Sequence, residues 1–300
     1  MDYGDILGRA WRIVWKHKAL WLVSMLPGLA TLFSVPTTFI FNPTVAPVLS
    51  NSLSSISGQT WFPLIGSFVN IVILILMIPF SIIALSTVIK GVARAEAGTE
   101  KLPLGELLKD SLPYFWRILG LMLMTIVAYF IVIVGIELIS LVLAVITLGI
   151  GLLCILPLLL LLIPGFYLAY ALLDLSYGAI VVDNLGVFAG LGRGWEIMKK
   201  NFWPVVLITL IVYVGMGILI GILLVPLFFP LFFVMFSATS QAAASRSVVL
   251  GSLGCVVAFL PFYIVLMGAV TAYMRSIWTL TYLRLSPQTS TPVPVAVENA

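Results

Sequence analysis

Six long apolar stretches run through this chain, and its charges are confined almost wholly to alternate gaps between them. The stretches lie at about 19–41, 64–89, 116–146, 152–182, 202–235 and 248–283. Each exceeds the ~20 residues that a helix needs to cross a bilayer's hydrocarbon core. Backbone polar groups in lipid must be satisfied internally, so only helices or closed barrels span it. The runs are far longer than the ~10-residue alternating segments of a barrel. The expected fold is therefore an all-α integral membrane protein with six transmembrane helices. Composition agrees: 62% of residues are hydrophobic and 9% charged, against roughly 45–50% and about 25% in soluble domains.

Fourteen of the fifteen Lys and Arg residues fall on one side of this pattern. Arg9, Arg12, Lys16 and Lys18 precede the first stretch. Lys90, Arg94, Lys101, Lys109 and Arg117 separate the second from the third. Arg193, Lys199 and Lys200 separate the fourth from the fifth, and Arg275 and Arg284 close the last. Arg246 alone lies opposite. Lys/Arg excess in short loops marks the cytoplasmic side, so both termini are expected in the cytoplasm and the protein in the inner membrane. The opposite connections, Phe41–Phe62, Thr147–Gly151 and Ser237–Ser247, are small or polar. Asp2, Asp5, Arg9 and Arg12 come before any long apolar run, so no cleaved signal peptide is expected. The net charge of +4 reads as orientation charge and not as a nucleic-acid footprint.

The sequence also resembles itself. Leu7-Gly-Arg-Ala-Trp11-Arg-Ile13 returns as Leu191-Gly-Arg-Gly-Trp195-Glu-Ile197, and Phe115-Trp116-Arg117 as Phe202-Trp203-Pro204. Pro79-Phe80, Pro164-Gly165-Phe166 and Pro261-Phe262 occupy matching places in the second, fourth and sixth stretches. Residues 1–285 thus parse as one membrane domain of three units, 1–102, 103–186 and 187–285, each an amphipathic segment followed by two spans. All three run the same way, as in parallel repeats related by an axis along the membrane normal. Residues 286–300, rich in Pro, Ser and Thr, are expected to be disordered.

At 100° per residue, Asp2, Asp5, Arg9, Arg12 and Lys16 share one face of the first amphipathic segment, with Leu7, Trp11 and Val14 opposite. In the second, Glu106, Lys109, Asp110 and Arg117 oppose Leu107, Leu108 and Phe115, and Pro113 divides the segment from the span. In the third, Val187, Phe188, Leu191, Trp195, Met198 and Phe202 form an apolar stripe against Arg193, Glu196 and Lys200. Such helices, tryptophan on one face and basic residues on the other, lie in the headgroup region. They are expected on the cytoplasmic side, either anchoring helix ends or docking a partner. Arg9, Arg12, Lys16, Lys109, Arg193, Lys200, Trp11 and Trp195 are the candidate face.

Residues Ala179–Trp203, AIVVDNLGVFAGLGRGWEIMKKNFW, resemble the bacterial and archaeal polytopic proteins grouped around the glycerophosphoryl diester phosphodiesterase membrane domain and related domains of unknown function. The shared pattern is a helix exit, a polar turn, an amphipathic segment with its tryptophan, then Asn-Phe-Trp opening the next span. Residues 103–283 carry most of the likeness and 5–26 repeat part of it. The resemblance implies a membrane architecture. It implies no activity, because the phosphodiesterase of the fusion proteins that gave the family its name is a separate soluble domain for which this chain has no room.

Candidate chemistry is sparse. His17 is the only histidine, and Cys154 and Cys255 lie in apolar stretches, so no metal site, cofactor or disulfide framework is expected. Glu137 is the one acidic residue deep in a span, where an ionisable group defaults to a functional reading. It pairs with Arg246, is protonated, lines a polar pathway, or reaches headgroups at the outer interface. Asp174 and Asp183 are expected to be solvated at the inner end of the fourth span or paired with Arg193 or Lys199. Gly190, Gly192 and Gly194 follow a membrane helix and not a strand, which excludes a dinucleotide loop; they read as flexible entry to the third amphipathic segment. Gly217 and Gly221 form a Gly-x-x-x-Gly suited to close packing within the bundle. Pro79, Pro157, Pro164, Pro226, Pro230 and Pro261 are expected to kink or break their helices. The sequence thus points to a non-catalytic structural or accessory component that binds membrane lipids or a protein partner at its cytoplasmic face. The alternative is a transporter or permease subunit for a hydrophobic or lipid-like substrate, with a polar-lined cavity near the midplane.

Overall fold

The computed structural model of the chain describes residues 2–42, 46, 61–99, 102–147, 152–239 and 246–286. Most of the three connections opposite the charged side and all of the tail but Ser286 therefore lie outside the described residues. Those described are helical with short turns and contain no strand. The helices are α1 (Tyr3–Lys16), α2 (Ala19–Met25), α3 (Leu29–Ile40), α4 (Trp61–Glu96), α5 (Leu104–Ser111), α6 (Phe115–Ile146), α7 (Leu152–Val182), α8 (Val187–Lys200), α9 (Phe202–Thr239) and α10 (Arg246–Leu285). Six stretches are long and apolar enough to cross a membrane: Ala19–Thr38, Trp61–Glu96, Leu104–Ile146, Leu162–Val182, Phe202–Pro226 and Val249–Leu285.

The first stretch departs from expectation. It is two helices, α2 and α3, parted by a turn at Leu26–Gly28. Pro27 cannot donate to the helical ladder, and the chain turns there. By contrast α4 and α10 run unbroken through Pro79 and Pro261, and Pro164 and Pro226 also lie inside continuous helices. A three-residue 3₁₀ turn, Leu112–Tyr114, contains Pro113 and separates α5 from α6, as the sequence predicts.

Three long helices, α4, α7 and α10, touch one another at the centre. The outer spans each rest on two of them: α2 on α4 and α10, α6 on α7 and α4, α9 on α10 and α7. The short amphipathic helices pack on central helices at one end of the bundle, α1 on α10, α5 on α4 and α8 on α7. The largest buried apolar cluster is gathered toward this end and includes Ile6, Ala10, Leu20, Val92, Ala179, Ile197 and Trp278. Small polar residues let the helices approach there. Ser86, Ser176, Thr209, Ser276 and Thr281 are buried, and each donates its hydroxyl to the carbonyl of the residue four before it, at 2.6–3.0 Å. Burial then leaves none of these five hydroxyls orphaned.

Glycines set the tightest contacts. A Cβ on Gly194 would stand 2.5 Å from Ser176 Oγ, one on Gly190 2.6 Å from Ile180, and one on Gly178 2.8 Å from the Tyr282 ring. Gly190 and Gly194 are therefore packing positions of α8 on α7, not a flexible entry. Nothing lies within 4 Å of the corresponding positions on Gly217 and Gly221, so the Gly-x-x-x-Gly of α9 makes no close packing contact among the described residues.

Candidate functional site

Ion pairs and hydrogen bonds tie the helix ends together where the amphipathic helices lie. Arg284 of α10 bonds Asp5 of α1 at 2.7 Å, and Arg9 of α1 bonds Glu96 of α4 at 2.8 Å. Arg94 of α4 pairs with Asp110 of α5, whose carbonyl accepts from Lys90 at 2.9 Å. Arg117, at the start of α6, donates to Asn184 Oδ1 at 2.6 Å in the turn after α7. Asn184 takes a positive φ of 55°, a conformation its short polar side chain tolerates. Arg193 bonds Glu196 at 3.0 Å, which raises the pKa of its guanidinium. The hydrogen bond from Arg284 holds the Asp5 carboxyl below the usual carboxylate range.

Two features stand out. The first is a basic groove of about 380 Å³ between α1 and the end of α4, lined by Arg9, Arg12, Ile13, Lys16, His17, Ala95, Gly98 and Thr99. Glu96 neutralises Arg9, but Arg12 and Lys16 have no ion pair among the described residues. His17 is 9% exposed. Burial lowers its pKa first, and the neighbouring Lys16 lowers it further. The apolar side of α1 divides in two. Ile6, Ala10, Ile13 and Val14 are buried, whereas Trp11 and Trp15 are exposed with their rings 5.3 Å apart and line no part of the groove. The sequence placed Trp11 correctly opposite the charges but did not separate it from the buried face.

The other candidate residues are dispersed. Lys109 and Lys200 are exposed and line no part of the groove. Trp195 is exposed with Lys199 5.0 Å over its ring, and Phe188 and Phe202 are exposed too, so much of the predicted stripe of α8 points away from the protein. Glu137 is exposed on α6 and makes no hydrogen bond or ion pair among the described residues. The side chain of Arg246, its proposed partner, falls outside them.

The second feature was not foreseen. Asp174 of α7, 8% exposed, pairs with Arg275 of α10 and accepts a 2.8 Å hydrogen bond from Tyr213 of α9. This corrects the expectation that Asp174 is solvated or paired with Arg193 or Lys199. Asp183 likewise accepts from Tyr282 of α10. Aromatic rings crowd the pair: Tyr167, Tyr170 and Trp278 lie 5.6, 6.0 and 6.0 Å from Tyr213. Two cavities, about 300 and 420 Å³, adjoin it and share Met122, Tyr177, Thr271 and Arg275 in their walls. Asp174, Tyr213 and Trp278 line the larger, and Ser24 and Ser81 the smaller. Among the described residues no group of three or more His, Cys, Asp or Glu is placed to hold a metal ion.

No protein-family model matches the chain, and neither a curated protein nor a solved structure shows significant similarity to it.

Proposed function

We propose that this is a non-catalytic, multi-pass accessory protein of the inner membrane, built of three parallel two-helix repeats, that binds anionic lipid headgroups at its cytoplasmic face. The groove carries the reading. Arg12 and Lys16, without carboxylate partners among the described residues, converge with His17 on one concavity, and the exposed indoles of Trp11 and Trp15 stand on another face of the same helix. Basic side chains on one face of an amphipathic helix and exposed tryptophans on another are the pattern of a helix at an anionic headgroup layer.

The cyclic pattern of contacts supports the repeat. Each amphipathic helix rests on the second span of the preceding unit, and each outer region on the second spans of its own and the preceding unit. The distribution of Lys and Arg supports a cytoplasmic position for the charged end. The exposed Trp11 and Trp195 support an interfacial role for α1 and α8. The likeness of Ala179–Trp203 to the phosphodiesterase membrane-domain proteins fits this architecture and adds no activity.

The test is mass spectrometry of the protein purified in mild detergent from membranes containing phosphatidylglycerol and phosphatidylcholine. Phosphatidylglycerol should be retained selectively by the natural chain and lost from Arg12→Gln/Lys16→Gln. Equal retention by both sinks the reading, and a stoichiometric protein lost only from the variant replaces lipid with a protein partner.

A second reading, a permease subunit for a lipid-like substrate, is favoured by the cavities around Arg275. Tyr213 lies ten residues from the exposed Trp203, or about 15 Å along the helix. That is half the ~30 Å hydrocarbon thickness.

A further inference from the structure

We propose that the two cavities around Arg275 form one intramembrane binding site for an amphiphile with an anionic head, a carboxylate or a phosphate, on an apolar tail. The inference deepens the permease reading and is independent of the basic groove.

The walls hold two donor-only groups, Arg275 and Trp278, beside hydroxyls that can donate or accept. Among the described residues the guanidinium of Arg275 makes a single hydrogen bond, from NH1 to Asp174, and its side chain is 33% exposed where it lines both cavities. An arginine carries five N–H donors and no acceptor. Trp278 Nε1, in the wall of the larger cavity, and Ser24 Oγ, in that of the smaller, are buried without a partner. The residues themselves are 2% and 5% exposed. The hydroxyls of Tyr177 and Thr271 add to the shared wall. The one carboxylate, Asp174, is engaged by Tyr213 and Arg275. Buried polar atoms are nearly always satisfied, so the free N–H groups of Arg275 and the indole N–H of Trp278, with hydroxyls able to donate beside them, call for an oxygen-bearing, negatively charged guest. The rest of the lining, Ile82, Leu85, Ile118, Met122, Ile126 and Leu173, suits a hydrocarbon tail.

The pair is also not part of the repeated scaffold. With Pro79, Pro164 and Pro261 in register, the places of Asp174 in the other units hold Ile89 and Thr271, and those of Arg275 hold Ala93 and Gly178. One helix interface of three carries the charges. A purely structural device would be expected in all three, whereas a single ionic locus beside a cavity marks a site.

The experiment uses the full chain in dodecyl maltoside and follows the thermal midpoint and the affinity for palmitate, hexadecyl phosphate and hexadecanol. The expected result is that one or both anions bind and raise the midpoint while hexadecanol does not; which anion acts identifies the head. Ser24→Ala and Tyr177→Phe remove hydroxyls that bond nothing in the described protein. They should leave the ligand-free midpoint unchanged yet weaken anion binding, by roughly tenfold for a lost bond to a charged group. Asp174→Asn/Arg275→Gln should bind hexadecanol and palmitate alike. Arg12→Gln/Lys16→Gln should bind the anions as the natural chain does. Equal response to the alcohol, or identical anion affinity in Ser24→Ala, Tyr177→Phe and the natural chain, overturns the proposal. Loss of anion binding in the groove variant alone also overturns it and assigns the anion to the groove.

Discussion

Asp174 and Arg275, 101 residues apart in sequence, close an ion pair between two of the three central helices. Removing one partner of a buried pair leaves an uncompensated charge, which costs about 3–5 kcal/mol, whereas replacing both by apolar residues is often neutral. Arg275→Met and Asp174→Leu should each lower the thermal midpoint in detergent markedly, and the double variant should recover most of the loss. A single Arg275→Met chain that melts like the natural one would show that the pair is not formed.

The glycines supply a graded test of helix packing. Gly194→Ala places a Cβ 2.5 Å from Ser176 Oγ and 3.0 Å from its backbone nitrogen, and Gly178→Ala one 2.8 Å from the Tyr282 ring. Overpacking of this kind costs about 1–3 kcal/mol. Gly217→Ala and Gly221→Ala meet nothing within 4 Å, and alanine is the better helix former by about 1 kcal/mol. The first pair should melt earlier than the natural chain and the second pair at the same temperature or later. The reverse order would place the close packing on α9.

These two cases show what a sequence can and cannot reveal. The spans were legible because lipid demands long apolar runs, and all six candidate spans overlie the expected stretches. The break within the first was not legible, because Pro27 falls inside an apolar run whose hydropathy does not register a backbone break. The amphipathic helices were legible as angular patterns, but an angle separates charged from apolar and not buried from lipid-facing, so Trp11 and Ile6 could not be told apart. Asp174 and Arg275 were each visible toward the charged ends of their spans. Their partnership depends on which helices meet, and no local pattern encodes that. Their similar distance from the charged helix ends, eight residues to Val182 and ten to Leu285, was the available signal.

His17 gives the groove a pH dependence of definite sign. Burial, with Lys16 beside it, lowers its pKa in the folded protein below the unfolded value of 6.5. Arg9, Arg12 and Lys16 face the same groove, and Glu96 is held by Arg9. As pH falls through 6.5 the unfolded chain takes up a proton that the folded chain resists, so stability is present above that value and declines below it. Thermal midpoints measured from pH 8 to 5 should drop on the acid side, and the drop should be smaller in His17→Gln. An anionic headgroup in the groove would favour the imidazolium, so phosphatidylglycerol should also flatten the profile of the natural chain. If His17→Gln follows the natural profile, another group titrates.

Arg284 and Asp5, 2.7 Å apart, join the last helix to the first, the contact that would close the proposed ring of three units. The orientation and the closure can be measured together in a chain carrying Cys154→Ser and Cys255→Ser. Gly98→Cys lies at the exposed tip after α4, where the φ of +93° suits glycine, so Thr99→Cys, exposed beside it, is the less strained reporter. A membrane-impermeant maleimide should label Thr99→Cys only after the membrane is opened or inverted, as the excess of Lys and Arg on this side demands. In the same preparation a short bis-maleimide should join Asp5→Cys to Arg284→Cys within one chain. Labelling of Thr99→Cys in sealed cells would reverse the orientation, and failure to cross-link in correctly folded protein would open the ring between α10 and α1. Each outcome bears on one relationship only, so the repeat and its orientation stand or fall separately.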